Sequence, residues 1–217
     1  MIKIGVLALQ GDYLEHQRIL QILGINSTYI KTPDQLNKID GLIVPGGEST
    51  TINKLMNSYN IKAPLKKLVQ RGMPIWGTCA GMIIIANKIV QSTPKPLSLI
   101  DITVDRNAFG NQTESFEQLI TFSKIGKQPF RSIFIRAPQI IDVGETIDVL
   151  GRLPNKQPVA VKQNNILATN HFKELKDNYY NLITLFHSLE HIHKIDELFI
   201  NINRITTNDS QMIIAVP

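Results

Sequence analysis

The sequence predicts an α/β fold with a doubly wound, mostly parallel central sheet and a mixed or antiparallel extension. Three observations predict this class. Over the first 90 residues, short apolar runs alternate with segments whose apolar residues recur at helical spacing. Short turns connect these segments, and strands that alternate with helices favour a parallel sheet covered on both faces. Beyond residue 99, short strand-like runs follow one another without long helices, which predicts antiparallel or mixed strands joined to the same sheet.

Four strands and four helices are predicted in the N-terminal half. The strands cover residues 2–9, 27–30, 41–44 and 74–78. The helices cover residues 14–23, 49–56, 63–70 and 80–90. The first helix ends before Gly24, a residue type that commonly follows the last helical turn. The last helix is apolar nearly all round, which predicts that it is buried.

The second half is predicted to contain short strands and one helix. The strands cover residues 101–104, 116–122, 132–135, 146–150, 159–162 and 166–169. A helical pattern returns at about residues 176–193, and residues 199–217 have only weak patterning. We expect residues 1–175 to form one domain, and residues 176–217 to be a C-terminal helix and an unassigned tail of the same domain.

Composition and charge exclude several classes of protein. The net charge of +5 is spread along the chain and aromatic residues are not interleaved with basic ones, so we expect no nucleic-acid partner. A single cysteine excludes a disulfide framework and a cysteine-based zinc site, and we expect neither a metal ion nor a cofactor. The apolar N-terminus is too short for a signal peptide or a membrane span, so we expect a cytoplasmic protein without membrane contact.

The motif Gly-Thr-Cys-Ala-Gly at residues 77–81 carries the strongest chemical signal. It lies between a predicted buried strand and a predicted buried helix, which is typical of a Gly-x-nucleophile-x-Gly elbow, here with cysteine in place of serine. Small residues on both sides permit the strained turn. We expect the N-terminus of the following helix to lower the pKa of the Cys79 thiol. The alternative is a buried structural cysteine.

A second motif, Pro-Gly-Gly-Glu-Ser-Thr at residues 45–50, ends one predicted strand and begins a helix. Two consecutive glycines allow backbone N–H groups to point at a developing oxyanion. Ser49 is a suitable residue to cap the helix. The alternative is an ordinary glycine turn followed by a capped helix.

A cysteine nucleophile needs a base, and the base needs a partner that orients it. Of the five histidines, His171 follows the predicted strand 166–169, at the sheet edge where sites in doubly wound folds collect. Glu174 lies three residues further on. His16 lies on the first predicted helix, and the remaining three are most simply explained as the solvated face of one late helix. His171 is therefore the predicted base and Glu174 its partner.

Five motifs in order give the chain a specific resemblance. They are Gly-Val-Leu-Ala-Leu-Gln-Gly at 5–11, Pro-Gly-Gly-Glu-Ser-Thr-Thr at 45–51, Gly-Thr-Cys-Ala-Gly at 77–81, Arg-Asn-Ala-Phe-Gly at 106–110 and Phe-Ile-Arg-Ala-Pro at 134–138. Over about residues 1–175 the chain resembles the glutaminase subunits of pyridoxal 5′-phosphate synthase, a family of class I (triad) glutamine amidotransferases.

The resemblance implies a reaction, a partner and a set of site residues. Cys79 would attack the side-chain amide of L-glutamine, and the ammonia released would pass to a separate synthase subunit that makes pyridoxal 5′-phosphate. The Gly46–Gly47 turn and the N–H of Ala80 would form the oxyanion hole. The glutamine-binding residues implied are Gly46, Gly47, Glu48, Arg106, Ile135 and Arg136. A guanidinium group suits an α-carboxylate, although either arginine could instead form a surface ion pair.

The chain departs from the family pattern where the base is expected. The family has Phe-His-Pro-Glu-Leu, whereas residues 170–175 read Asn-His-Phe-Lys-Glu-Leu. Aligning Glu174 puts Phe172 in the position of the base and His171 one residue early. Either a local bulge lets His171 act as the base, or the chain is a weak or inactive interaction subunit of the same synthase. A third hypothesis, the glutaminase partner of imidazole glycerol phosphate synthase, is opposed by the motifs that begin at Arg106 and Phe134.

Overall fold

The computed structural model describes residues 2–106, 116–122, 129–134, 138–169, 180–186 and 206–215. The strands in these ranges are β1 (Lys3–Leu7), β2 (Asn26–Ile30), β3 (Gly41–Val44), β4 (Ile75–Thr78), β5 (Ala86–Ile89), β6 (Ile100–Asp105), β7 (Phe116–Ile120), β8 (Phe130–Phe134), β9 (Gln139–Val143), β10 (Asp148–Arg152), β11 (Pro158–Gln163), β12 (Ile166–Thr169), β13 (Tyr180–Phe186) and β14 (Thr206–Ala215). The α-helices are α1 (Tyr13–Ile22), α2 (Ser49–Ser58), α3 (Lys62–Gln70) and α4 (Ala80–Ile85), and Pro33–Lys38 is a 3₁₀ helix.

A seven-stranded sheet with the order β10-β11-β12-β4-β3-β1-β2 forms the centre of the molecule. The five strands from β12 to β2 are parallel. β11 and β10 add to the β12 edge in antiparallel pairing. The predicted fold, a mostly parallel sheet with an antiparallel extension, is confirmed.

Successive strand residues point to opposite sides of this sheet, and helices cover both sides. On one face, Leu20 of α1 packs with Val6 and Ile43. On the other face, the neighbouring residues Leu7 and Val44 belong to the large core that also contains the buried apolar side chains of α2, α3 and α4. The carboxyl ends of β1, β3, β4 and β12 therefore meet at one edge with a helical layer on either side.

The predicted helix over residues 80–90 is wrong in its second half. α4 ends at Ile85, and Ala86–Ile89 forms β5, which pairs with β6. The backbone N–H groups of residues 97–99 donate to the carbonyl groups of residues 84–86 at 2.7–3.0 Å. These bonds satisfy the carbonyls at the end of α4 without another helical turn. Lys88 is also exposed, which a helix buried on all sides would not allow.

The strands after residue 99 do not all extend the central sheet. β5, β6 and β9 form a separate three-stranded sheet, and β7 pairs only with β8 among the strands described. β6 buries Ile100, Ile102 and Val104 in the same core as α4. The apolar side chains of β6 are therefore buried without pairing to the central sheet. The expectation that the strands after residue 99 join that sheet is confirmed for β10, β11 and β12 and wrong for β6, β7, β8 and β9.

The predicted helix over residues 176–193 is also wrong where the structure describes it. Tyr180–Phe186 is strand β13, and it pairs in parallel with β14. Its sequence is rich in aromatic and β-branched residues, which favour a strand once a partner is available. That partner comes from the tail, which has no assigned structure at the level of sequence. The domain boundary at residue 175 stays a prediction.

Candidate active site

Cys79 lies at the predicted elbow between β4 and α4, with φ 49° and ψ −107°. A positive φ is strained for a residue with a side chain and persists only where the surroundings enforce it. Two glycines make the turn possible. A Cβ at Gly81 would overlap the carbonyl group of Val44, and one at Gly77 would lie 2.6 Å from the carbonyl oxygen of Gly81. The strand-to-helix elbow is as the sequence predicts.

The elbow is tied to the neighbouring strand by its own backbone. The N–H of Cys79 donates to the carbonyl oxygen of Thr169 at 2.9 Å. Thr169 is the last residue of β12, and its Cα is paired in register with that of Thr78. The nucleophile is therefore fixed relative to the strand that leads into residues 170–175.

The thiol of Cys79 is held in its protonated form. Burial raises its pKa to about 11, and the N–H of Ala80, which lowers the pKa, offsets this only in part. The carboxyl group of Asp12 raises the pKa further, and the N–H of Gly47 lowers it. The N–H of Ala80 at the start of α4 lowers the pKa as expected, but the expected preference for the thiolate is wrong, because desolvation outweighs both backbone donors.

Gly47 and Ala80, the two predicted oxyanion-hole residues, both direct backbone N–H groups at the sulfur of Cys79. Gly47 has φ 141°, which favours glycine. The structure therefore brings the two donors and the nucleophile together.

The loop between β1 and α1 holds the glycine turn in place. The N–H of Asp12 donates to the carbonyl oxygen of Gly46 at 3.1 Å, and the side-chain oxygen of Gln10 accepts from the N–H of Glu48 at 2.9 Å. A Cβ at Gly11 would overlap Gly46. Sequence reasoning assigned no role to Gln10 or Asp12. The signal that could have found them was the motif at residues 5–11, which directly follows a predicted strand.

Glu48, not Ser49, caps α2. Its carboxylate accepts from the N–H of Thr50 at 3.0 Å and from that of Thr51 at 2.6 Å. Burial alone would raise the pKa of Glu48, but the hydrogen bonds from Thr50 and Thr51 lower it overall. The prediction of a serine cap is wrong, because the longer carboxylate side chain reaches two helical N–H groups at once.

Glu48 and Arg106, two predicted glutamine-binding residues, are in contact. Nη2 of Arg106 lies 3.4 Å from the carboxylate of Glu48. Nη1 of Arg106 donates to the carbonyl oxygen of Thr93 at 2.5 Å. Only 20% of the Arg106 side chain is exposed, so this guanidinium is oriented and is not a free surface group.

Four predicted site residues lie outside the described residues: Ile135, Arg136, His171 and Glu174. Their roles stay predictions. Within the described ranges, the structure has no group of three or more His, Cys, Asp or Glu side chains arranged to hold a metal ion. No helix in the same ranges is long and apolar enough to cross a membrane.

The fold and the cysteine elbow define an α/β protein with a nucleophilic site. A family model matches residues 6–195 of this chain, and it describes the SNO glutamine amidotransferase family. The chain belongs to this family, and the class of protein is a glutamine amidotransferase.

Sequence relatives give a more particular similarity. The chain is 49% identical over 173 residues to pyridoxal 5′-phosphate synthase subunit PdxT of Pelotomaculum thermopropionicum, covering 80% of this chain and 88% of the relative. It is 46% identical over 181 residues to the PdxT subunit of Dehalococcoides mccartyi, covering 82% and 93%. The PdxT subunit of Thermotoga maritima is 44% identical over 176 residues, covering 81% and 93%.

Solved structures agree with this class. A crystal structure of a glutamine amidotransferase superposes with a TM-score of 0.73 and 43% identity, covering 78% of this chain and 89% of that one. A structure of PurLQS from Thermotoga maritima has a TM-score of 0.58 at 14% identity, covering 79% of this chain and 87% of that one. This second similarity concerns the fold alone.

Proposed function

We propose that this chain is the glutaminase subunit of a pyridoxal 5′-phosphate synthase. It hydrolyses L-glutamine to glutamate and ammonia, and the ammonia passes to a separate synthase subunit. The observation that carries the proposal is the elbow cysteine with two backbone donors directed at its sulfur. The names of the PdxT relatives supply the assembly and the product.

The first step is attack by the sulfur of Cys79 on the side-chain amide carbon of glutamine. With a pKa of about 11, only about one thiol in ten thousand is ionised at pH 7, so the proton must leave during the attack. His171 is the proposed acceptor of this proton, with Glu174 holding its other ring nitrogen. The protonated histidine then returns the proton to the departing ammonia, which leaves a γ-glutamyl thioester on Cys79.

The negative charge of the tetrahedral intermediate develops on the former amide oxygen. The N–H groups of Gly47 and Ala80 are the proposed donors to this oxygen, since both already point at the sulfur that it would adjoin. Water then attacks the thioester through a second intermediate stabilised by the same donors, and glutamate is released. The elbow geometry supports both half-reactions.

Arg106 and Glu48 are the proposed contacts to the α-carboxylate and α-ammonium groups of glutamine. The two side chains carry the complementary charges and lie 3.4 Å apart. Gly46, Ile135 and Arg136 are proposed to complete the binding site. The inactive-subunit hypothesis and the imidazole glycerol phosphate hypothesis are not favoured, since the similar relatives carry the pyridoxal 5′-phosphate synthase name.

The test is Cys79→Ala, assayed for glutamate release with a synthase subunit present. We expect loss of more than about a thousandfold in kcat, because no other group can form the thioester. Alanine fits the elbow, so thermal stability and binding of the synthase subunit should be retained. Half of the original activity in the variant would contradict the proposed mechanism.

A further inference from the structure

A partly buried histidine lies beneath the elbow, on the face of the sheet covered by α1. Nε2 of His16 is 3.3 Å from Oγ1 of Thr78, the residue that precedes the nucleophile. The imidazole ring also meets the ring of Trp76 edge to face, with centroids 5.7 Å apart and an interplanar angle of 79°. Thr78 is only 2% exposed, so its hydroxyl has no access to bulk water.

The same cluster contains the end of the neighbouring strand. The indole N–H of Trp76 donates to Oγ1 of Thr169 at 3.2 Å. The carbonyl oxygen of Thr169 in turn accepts the N–H of Cys79. We name His16, Trp76, Thr78 and Thr169 the sub-elbow cluster. It joins the last residues of β4 and β12 to one side chain of α1.

We propose that His16 is a positioning residue for Cys79, acting through Thr78. The elbow holds a strained backbone at Cys79, and such a conformation persists only when the groups around it fix it on several sides. On the α4 side, the close approach of Gly81 to Val44 and of Gly77 to Gly81 restrains this backbone. On the α1 side, the imidazole of His16 holds the hydroxyl of Thr78 and packs on Trp76. His16 does not exchange protons with the substrate in this role.

The charge state of His16 suits a positioning role. Burial lowers its pKa to about 4, so the ring is neutral at pH 7. A neutral imidazole can share one hydrogen bond with a hydroxyl and contact the indole edge to face without bringing a positive charge beneath the nucleophile. A general base would need a pKa closer to the working pH.

Two substitutions test the inference, His16→Phe and Thr78→Val. Phenylalanine keeps an aromatic ring beside Trp76 but removes the hydrogen bond, and valine removes only the hydroxyl. We expect kcat for glutamine to fall by about tenfold or more with KM changed less than about twofold, because a displaced nucleophile affects the chemical step. His16→Gln, which keeps a polar atom at similar reach, should restore most of kcat.

A second readout follows the thiol directly, since Cys79 is the single cysteine of the chain. If the elbow relaxes, the sulfur loses its burial and its pKa falls towards the usual 9.0. Alkylation by iodoacetamide at pH 8 should then be about tenfold faster in both variants. A thiol that reacts faster with the reagent while catalysis is slower is not expected from a merely structural role.

The matched control is Gln17→Leu, at the position next to His16 on α1, which removes the 2.9 Å hydrogen bond that Gln17 donates to Ser27 of β2. It should lower stability without changing kcat or the alkylation rate. The inference is overturned if His16→Phe behaves as this control does, or if Thr78→Val leaves both quantities unchanged. The kcat readout rests on the proposed function, but alkylation does not. A wild-type complex that hydrolyses no glutamine would therefore refute the function while alkylation still decides the role of His16.

Discussion

At the scale of single residues, the chemistry centres on a thiol whose pKa is raised by burial to about 11. Burial keeps Cys79 protonated, and the backbone donors at Gly47 and Ala80 offset this only in part. A thiol that is protonated at pH 7 makes the identity of the base decisive for activity. The base is also the point at which this sequence departs from the family pattern.

The order of His171 and Phe172 can be tested by exchanging them. In the double variant His171→Phe with Phe172→His, we expect glutaminase activity with the synthase subunit to fall by about a thousandfold, because the proposed base is lost from its position. Phe172→Leu serves as the control, and it should keep most of the activity. An increase of a hundredfold or more in the double variant would mean that the native order lacks a working base.

Among the secondary-structure elements, α2 begins at a residue of the candidate active site, so the same side chain affects both the stability of the helix and the site. Its N-terminal N–H groups are capped by the carboxylate of Glu48, which also contacts Arg106. Half of the Glu48 side chain is exposed, so solvent screens the ion pair and the cap accounts for most of its contribution to stability. The residue that ends the glycine turn thereby also fixes the start of the helix.

Glu48→Ala should lower the free energy of unfolding by about 1 kcal/mol at pH 7, since two helical N–H groups lose their acceptor. Because the folded-state pKa of Glu48 is lowered, this stabilisation is present above its usual value of 4.5 and is lost as the pH falls through the lowered value. Urea unfolding at pH 7 and pH 3 measures both effects. Glu145→Ala, which removes the same charge from an exposed turn, should cost far less. An equal cost would contradict the cap.

For the whole molecule, the free energy of unfolding should depend on pH through His16, which lies between α1 and the sheet and has a lowered pKa in the folded protein. Its ring is neutral in the folded protein down to about pH 4, whereas in the unfolded chain it binds a proton near pH 6.5. The unfolded state therefore binds more protons between these values. Stability due to this group is present above pH 6.5 and is lost as the pH falls towards 4.

We expect the wild type to lose roughly 2 kcal/mol more than His16→Gln between pH 7 and pH 5. Asp12, whose pKa burial raises, contributes with the opposite sign, but it is present in both proteins and cancels in the comparison. Unfolding can be followed by the fluorescence of Trp76, the single tryptophan, which lies against His16. Parallel pH profiles of the two proteins would show that His16 is not buried in its neutral form.

The sequence by itself determined the central sheet and the position of the nucleophile. Alternating apolar runs, and glycines at fixed offsets from Cys79, are local signals, since each reflects the backbone geometry of a few neighbouring residues. The five motifs likewise determined the family. That resemblance implied that Glu48 and Arg106 each bind glutamine, but the contact between the two side chains, which are 58 residues apart, was not predicted.

Only the tertiary structure decided the features that depend on distant partners. α4 ends at Ile85 because residues 97–99 satisfy its carbonyls, and Tyr180–Phe186 is a strand because Thr206–Ala215 pairs with it. The thiol pKa is raised and not lowered, because burial by surrounding elements outweighs the dipole of a short helix. In the sequence His16 was only a residue of the first predicted helix, whereas in the fold it is a partly buried neighbour of the elbow. In each case, residues distant in sequence determine the conformation, pKa or contacts of a residue, and the pattern of its sequence neighbours does not contain that information.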